Sequence, residues 1–139
     1  MSGDTVSGNA LQFTNDNKHC YAFSGNIEAK TASQTALSFV TYSEYLIGEF
    51  TFNGFIQVDN VSIRQGAITI KLNDVIVANQ ITGDANEDMS GSIIQKIIIP
   101  PFSRVICEVI ASSGDSDNFG TVIFTGKVGM APRVGNLDE

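Results

Sequence analysis

The chain has 139 residues, 42% of them hydrophobic and 17% charged, a length that one domain fills and a composition that buries a core without metal or disulfide staples. Fifteen acidic against eight basic side chains leave a formal net charge of -7, which opposes contact with nucleic-acid phosphates and anionic lipid headgroups. No apolar run approaches the roughly 20 residues of a membrane span, and the opening Met-Ser-Gly-Asp-Thr-Val-Ser-Gly lacks the basic and apolar regions of a signal peptide. Neither membrane nor nucleic acid is therefore expected as a direct partner, and synthesis in a cytosol is.

Residues 1–10 are small and polar and read as an N-terminal arm, 11–128 carry the strand patterns of one β domain, and 129–139, with Pro132, Gly135 and a closing Asp138-Glu139, read as a C-terminal arm. Within the domain a first strand is expected over 11–14, then a turn at Asn15-Asp16-Asn17-Lys18, then a long strand over 19–29 in which Tyr21, Phe23 and Ile27 share one face. Segment 36–42 places Leu37 and Phe39 on one side and Val40 and Tyr42 on the other. Residues 45–52 alternate Leu46, Gly48, Phe50 and Phe52 against Tyr45, Ile47, Glu49 and Thr51; Asn53-Gly54 predicts a turn, and 55–58 resume the pattern.

Two runs, 67–72 and 75–81, flank Asn73-Asp74, whose side chains tolerate positive φ, and this spacing predicts a β-hairpin. Ile68, Ile70 and Leu72 are expected inward, Thr69 and Lys71 outward, and Val75, Val77 and Ile81 toward the core from the returning strand. An acidic loop follows over 83–91, then a β-branched strand over 93–99 that Pro100-Pro101 must end, because proline donates no ladder hydrogen bond. Val105, Cys107 and Val109 form the buried face of the next strand and Arg104 and Glu108 its opposite face. A polar loop is expected over 112–120 and a last strand over 121–128 with Val122, Phe124 and Val128 in phase. About eight strands without a sustained 3.6-residue period make the chain all-β, a single antiparallel β-sandwich of jelly-roll or similar Greek-key topology, with a closed barrel as the alternative.

Catalytic chemistry finds little to work with. His19 is the single histidine and Cys20 adjoins it, but neighbours on a strand project to opposite faces, so the two form no dyad unless a bulge intervenes. Cys107 meets His19 only if their strands are adjacent, and two cysteines without a secretory signal are expected to be reduced and buried. Oxygen ligands gather at Asp84, Glu87 and Asp88 and at Asp115, Asp117 and Asn118, yet neither group has the ordered spacing of a calcium loop, and acidic loop tips are ordinarily solvated. No carboxylate pair stands in the apolar setting that glycoside hydrolysis needs, and one histidine with two separated cysteines does not hold zinc. A sugar-stacking platform is weakly supported, since Trp is absent and Tyr21, Tyr42 and Tyr45 lie in strands where packing is the default. The sequence thus assigns no catalytic, cofactor or metal residue and describes a protein that is not an enzyme. Segments 36–42 and 93–99, the latter with Ile94 and Ile98 opposite Ile93, Ile97 and Ile99, are apolar on both phases, as a subunit interface or a central strand covered by loops requires.

Three stretches carry a resemblance: 13–25 (Phe-Thr-Asn-Asp-Asn-Lys-His-Cys-Tyr-Ala-Phe-Ser-Gly), 70–77 (Ile-Lys-Leu-Asn-Asp-Val-Ile-Val) and 98–105 (Ile-Ile-Pro-Pro-Phe-Ser-Arg-Val). Over roughly 13–128 the chain resembles small β-sandwich virion proteins of environmental, especially marine, tailed bacteriophages. The resemblance implies a decoration or cement subunit on the outer surface of a phage head, a symmetric homo-oligomer with a trimer favoured, whose partner is the major capsid protein and whose location is the virion. It brings no catalytic residues. Two other readings use the same fold: a receptor- or carbohydrate-binding module of a tail fibre or spike, with 83–91 and 112–120 as binding loops, and a jelly-roll shell protein of a small virus.

Overall fold

The computed structural model describes residues 12–15, 19–57, 63–81, 92–112 and 114–129. They form eleven strands: β1 (Gln12–Asn15), β2 (His19–Phe23), β3 (Ile27–Ala29), β4 (Gln34–Val40), β5 (Leu46–Gln57), β6 (Ile63–Arg64), β7 (Gly66–Leu72), β8 (Val75–Ile81), β9 (Ser92–Ile99), β10 (Arg104–Ala111) and β11 (Asp115–Val128). One sheet runs β1-β2-β11-β5-β6, with β3 also on β11 and β9 also on β5; the other runs β4-β10-β7-β8. All pairings are antiparallel.

Eight of these strands make a jelly roll. The chain passes from β2 in the large sheet to β4 in the small one, back to β5, across to β7 and β8, and then through β9, β10 and β11 alternately, so β2-β11-β5-β9 faces β4-β10-β7-β8. The sequence pattern predicts a strand at each of these eight places, and also β1, expected over 11–14. Strands β1, β3 and β6 are short additions, and two separate sheets replace the closed barrel considered as the alternative.

The core is the filling between the sheets. Phe50, Phe52, Phe55, Val122 and Phe124 from the large sheet and Leu37, Phe39, Ile68, Ile70, Val105, Cys107 and Val109 from the small one are all within 2% of complete burial. Each such large side chain contributes roughly 1.5–3 kcal/mol on leaving water. Phe124 is the central contact: its ring centroid lies 4.7 Å from that of Phe50 and 5.0 Å from that of Phe39 in the opposite sheet. Room for that ring comes from two glycines paired across adjacent strands, Gly48 and Gly126. A Cβ on Gly48 would overlap the Phe124 ring, and one on Gly126 would lie 2.8 Å from its Cζ.

Bulges account for most departures from the sequence-based expectations. Asn53-Gly54 is not a turn; β5 runs through it, because β11 pairs Thr121 with Asn53 but Phe119 with Ile56, so two residues of β5 oppose Gly120 alone. The extra residue resets the alternation, and Phe52 and Phe55, three apart, both point inward with ring centroids 5.4 Å apart. A similar shift in β4, where Cys107 faces Leu37 and Glu108 faces Thr35, buries both Ala36 and Leu37.

The hairpin forms as predicted, with Asn73 at φ 52° and Asp74 at φ 70°, but its returning strand does not line the core. Val75, Val77 and Ile81 are 62%, 47% and 66% exposed, and only Ala78 of β8 packs on the core. Strand β8 lies at the end of the small sheet, and a bulge between Ala78 and Ile76 turns Val77 away from the phase that alternation assigns it.

In strand β2 Tyr21 and Phe23 share one face, as the alternation predicts, and that face is the outer one. Ala22 and Cys20, not Tyr21 and Phe23, face inward, because β2 pairs Ala22 with Phe124 and Cys20 with Gly126, where the Phe124 ring leaves space only for small neighbours. The predicted strand 19–29 breaks at Ser24 to Asn26, where Gly25 takes φ 77°. The expected loop 112–120 is largely strand, since β11 begins at Asp115 and pairs with β3 and β5. Arm 1–10, the acidic loop 83–91 and all of arm 129–139 except Gly129, whose amide donates to the Tyr45 carbonyl at 3.0 Å, lie outside the described residues.

Candidate functional site

The structure separates the groups that nucleophilic catalysis would join. His19 is exposed on the outer face of the large sheet, where its strand neighbour is Lys127. Cys20 turns to the core side of the same strand, and a Cβ on Gly126 would sit 3.2 Å from its Sγ. Cys107 belongs to the other sheet and is fully buried. Burial pushes its thiol well above the ordinary range, and the neighbouring Glu108 carboxylate adds to the shift, the reverse of an activated thiolate. No disulfide joins the two cysteines.

The two oxygen-rich segments part company. Asp84, Glu87 and Asp88 lie outside the described residues. Asp115 and Asp117 are on strand β11, and Asn118 is turned inward, fully buried, with its Nδ2 donating to the Phe55 carbonyl at 3.2 Å. Asn118 thereby supports the bulged part of β5 and is not a loop-tip ligand. Among the described residues no three His, Cys, Asp or Glu side chains gather as a metal site.

Two surface features remain. The first is the outer face of the large sheet, where the register sets His19, Lys127, Ile47 and Ile98 in one row across four strands and Tyr21, Thr125, Glu49 and Lys96 in the next. A shallow open depression there is lined by His19, Ile47, Glu49, Lys96, Thr125 and Lys127. Two ammonium groups and an imidazole around one carboxylate make it a locally basic place on an acidic chain.

The second feature is apolar. Strand β8 exposes Val75, Ile76, Val77 and Ile81, and β9 exposes Ile94 at 58% and Ile98 at 63%. The second apolar face of 93–99 therefore lies on the surface, with the described residues leaving it uncovered. Gln80 of β8 donates through Nε2 to Gln95 Oε1 of β9, so these two strands meet at one side of the sandwich. At the end of β9 the Pro100-Pro101 stop becomes a turn whose Phe102 holds φ 56° and is 71% exposed. Its amide donates to the Tyr42 carbonyl at 2.8 Å, and Tyr42, expected to pack, is half exposed. Sequence reasoning missed Phe102 because a positive φ on an aromatic is rare. It placed β8 but missed its exposure, although the uninterrupted Val75-Ile76-Val77 run, apolar on both phases, was the available signal.

No protein-family model matches the chain, and no curated protein does. Among solved structures it is similar to a family 35 carbohydrate-binding module from an environmental isolate, at 12% identity and TM-score 0.41 over 91% of this chain and 88% of that one. It is also similar to the CBM36-1 domain of a multidomain xylanase from the hindgut metagenome of Trinervitermes trinervoides, at 14% identity and TM-score 0.34 over 94% of each chain. A third similarity is to the VP2 subviral particle of infectious bursal disease virus, at 12% identity and TM-score 0.39 over 82% of this chain and 31% of that one. Likenesses at this level assign no function.

Proposed function

We propose that the chain is a non-enzymatic virion subunit, a decoration or cement protein on the outer surface of a tailed-phage head that stabilises the shell by bridging neighbouring copies of the major capsid protein. The observation that carries the reading is the apolar surface of β8, β9 and the Phe102 turn, which the described residues leave uncovered, on a sandwich whose described residues gather no metal constellation. Side chains such as Ile98 and Phe102 gain free energy when a partner covers them, and a subunit that touches several capsomers makes local opening of the shell break several contacts together. The net charge of -7 suits the outside of a head, away from packaged DNA.

The test compares heads of the parent phage made with and without this protein. Those lacking it are expected to release DNA at lower temperature and after milder osmotic shock, and equal survival overturns the cement role. A second reading, a receptor- or carbohydrate-binding module of a tail fibre, is favoured by the basic depression around His19, Lys96 and Lys127. Copy number separates the two: hundreds of copies per particle fit the head and a handful fit the tail.

A further inference from the structure

We infer that the basic depression on the outer face of the large sheet is a docking site for an acidic segment of another protein, which sets a carboxylate between Lys96 and Lys127 and an aliphatic side chain on Ile47 and Ile98. The inference rests on reading the chain as a virion subunit, and it names the chemistry that the shell protein brings to β9.

The placement follows from the register. Strand β11 sets Lys127 beside Ile47 of β5, β5 sets Ile47 beside Ile98 of β9, and Lys96 lies two residues before Ile98 on the same face of β9. The two lysine Cα atoms are thus separated by two strand spacings of about 4.8 Å and by two residues of about 3.3 Å, roughly 12 Å in all. Extended lysine side chains close such a gap from both ends. Ile47 and Ile98 adjoin them on the same face and are 42% and 63% exposed. Gly48 and Gly126, which also line the depression, put no side chain into it.

Charge selects the occupant. The chain carries eight basic side chains against fifteen acidic ones, yet two of the eight meet here. Two other cations are answered by carboxylates: Lys71 lies 3.2 Å from Glu108, and Arg104 lies 3.8 Å from Asp74. Among the described residues neither Lys96 nor Lys127 has such a partner, although Glu49 stands opposite Lys96 in the ladder. An arriving carboxylate therefore gains from both ammonium groups. Nucleic acid is opposed by the net charge of -7 that surrounds the depression. A sugar ring finds no aromatic platform among the lining residues, only the imidazole of His19 and the aliphatic Ile47. The described surface of a second copy offers no acidic cluster to match, since no three His, Cys, Asp or Glu side chains gather on it. A protein segment with an apolar residue next to its carboxylates satisfies both halves of the site. Ile98 also belongs to the exposed apolar surface of β9, so a partner that covers that strand must answer these lysines as well.

The test titrates the full chain, observed by amide NMR, with a capped synthetic peptide Glu-Glu-Leu-Glu-Glu-Leu up to millimolar concentration. Its lysine-for-glutamate counterpart and polygalacturonate are run beside it. The expected result is a set of shifts confined to 47–49, 96–98 and 125–127 with the acidic peptide, fading as salt rises. Lys96→Gln and Lys127→Gln are each expected to weaken binding about threefold and together about tenfold, with an unchanged far-UV spectrum, while arginine at both positions retains it. Glu49→Gln, which removes the competing carboxylate, is expected to tighten binding about twofold. Absence of binding, shifts located elsewhere, or binding that ignores the double glutamine substitution overturns the inference. Polygalacturonate binding more tightly than the peptide overturns it in favour of a carbohydrate. A two-chain mass by light scattering that the two glutamine substitutions reduce to one chain overturns it in favour of a second copy. Heads that survive without the protein remove the cement role and leave the titration standing, and a failed titration leaves the survival experiment untouched, so the two fail separately.

Discussion

Thr41 and Ser103 hold each other twice: the Ser103 amide donates to Thr41 Oγ1 at 2.8 Å, and the Ser103 carbonyl accepts from the Thr41 amide at 2.9 Å. The Thr41 hydroxyl also donates to the Pro100 carbonyl at 2.8 Å, which the Ser103 hydroxyl reaches from the other side at 2.8 Å. Thr41 and Ser103 are 6% and 1% exposed, so a loss here leaves groups without water to replace the partner. Thr41→Val keeps the shape and the amide bond to the Ser103 carbonyl but removes the hydroxyl's bonds to the Ser103 amide and the Pro100 carbonyl. It is expected to cost about 1–3 kcal/mol, the desolvation penalty of a buried orphaned group, whereas Thr41→Ser retains most of the stability. Urea denaturation of the two variants checks this, and equal midpoints for Val and wild type would refute it.

That clasp fixes Phe102 in a conformation aromatic residues avoid. A left-handed residue with a Cβ costs roughly 1–2 kcal/mol relative to glycine, and glycine's extra chain freedom returns part of that. Phe102→Gly is expected to raise stability by about 0.5–1 kcal/mol, while Phe102→Ala, which keeps the Cβ, gains nothing. Thermal unfolding separates them. If Ala stabilises as much as Gly, backbone strain is not the cause.

At the centre of the core the relation is steric. Gly48→Ala forces a methyl into the Phe124 ring, which Phe50 and Phe39 hold from the other sides. Overpacking of this kind costs about 1–3 kcal/mol. The double variant Gly48→Ala with Phe124→Leu, which relieves the overlap, should lose less than the sum of its parts. Additive losses in denaturant melts would show that the ring and the glycine are not coupled.

Cys107 makes stability depend on alkaline pH. Its thiol is held neutral when folded, by burial first and the Glu108 charge second, while in the unfolded chain it ionises around its ordinary value of 9.0. The folded state therefore keeps a proton that the unfolded state releases. This contribution is fully present below pH 9.0 and is lost as pH rises above it, at about 1.4 kcal/mol per pH unit. The stability advantage of wild type over Cys107→Ala should shrink by about 1 kcal/mol between pH 9 and pH 10, where the unfolded thiol goes from half to almost fully ionised, and by the full slope above that. A constant difference would mean that the folded thiol ionises too.

Much of this fold could be read before it was seen, wherever one residue's chemistry decides the matter. Asn73-Asp74 accept positive φ, Pro100 and Pro101 end a strand, and Val105, Cys107 and Val109 mark a face without ambiguity. The failures share a cause of a different kind. Asn53-Gly54 has the composition of a turn, but its conformation is set by β11, more than 60 residues away in the chain. Period two in β2 offers two phases, and the volume of Phe124 chooses between them. Strand β8 shows an apolar pattern that alternation alone sends inward, whereas its place at the end of a sheet sends it outward. The surfaces were least legible, because exposure belongs to the assembled sheets and to no single segment.

The position of β11 has a consequence for how the protein comes into being on a ribosome. This strand follows every other described strand in chain order, yet it lies between β2 and β5 and also receives β3. Until it emerges from the exit tunnel, β2 with β1 and β5 with β6 and β9 remain two separate pieces with no strand to join them, and Phe50 has no Phe124. The large sheet must close after translation has passed 128, by β2–β11 pairs 100 to 108 residues apart in the chain, so folding is expected to be slow and committed in one late step. A nascent chain stalled short of β11 would hold all four strands of the small sheet and the β5–β9 pair, but not the joined large sheet.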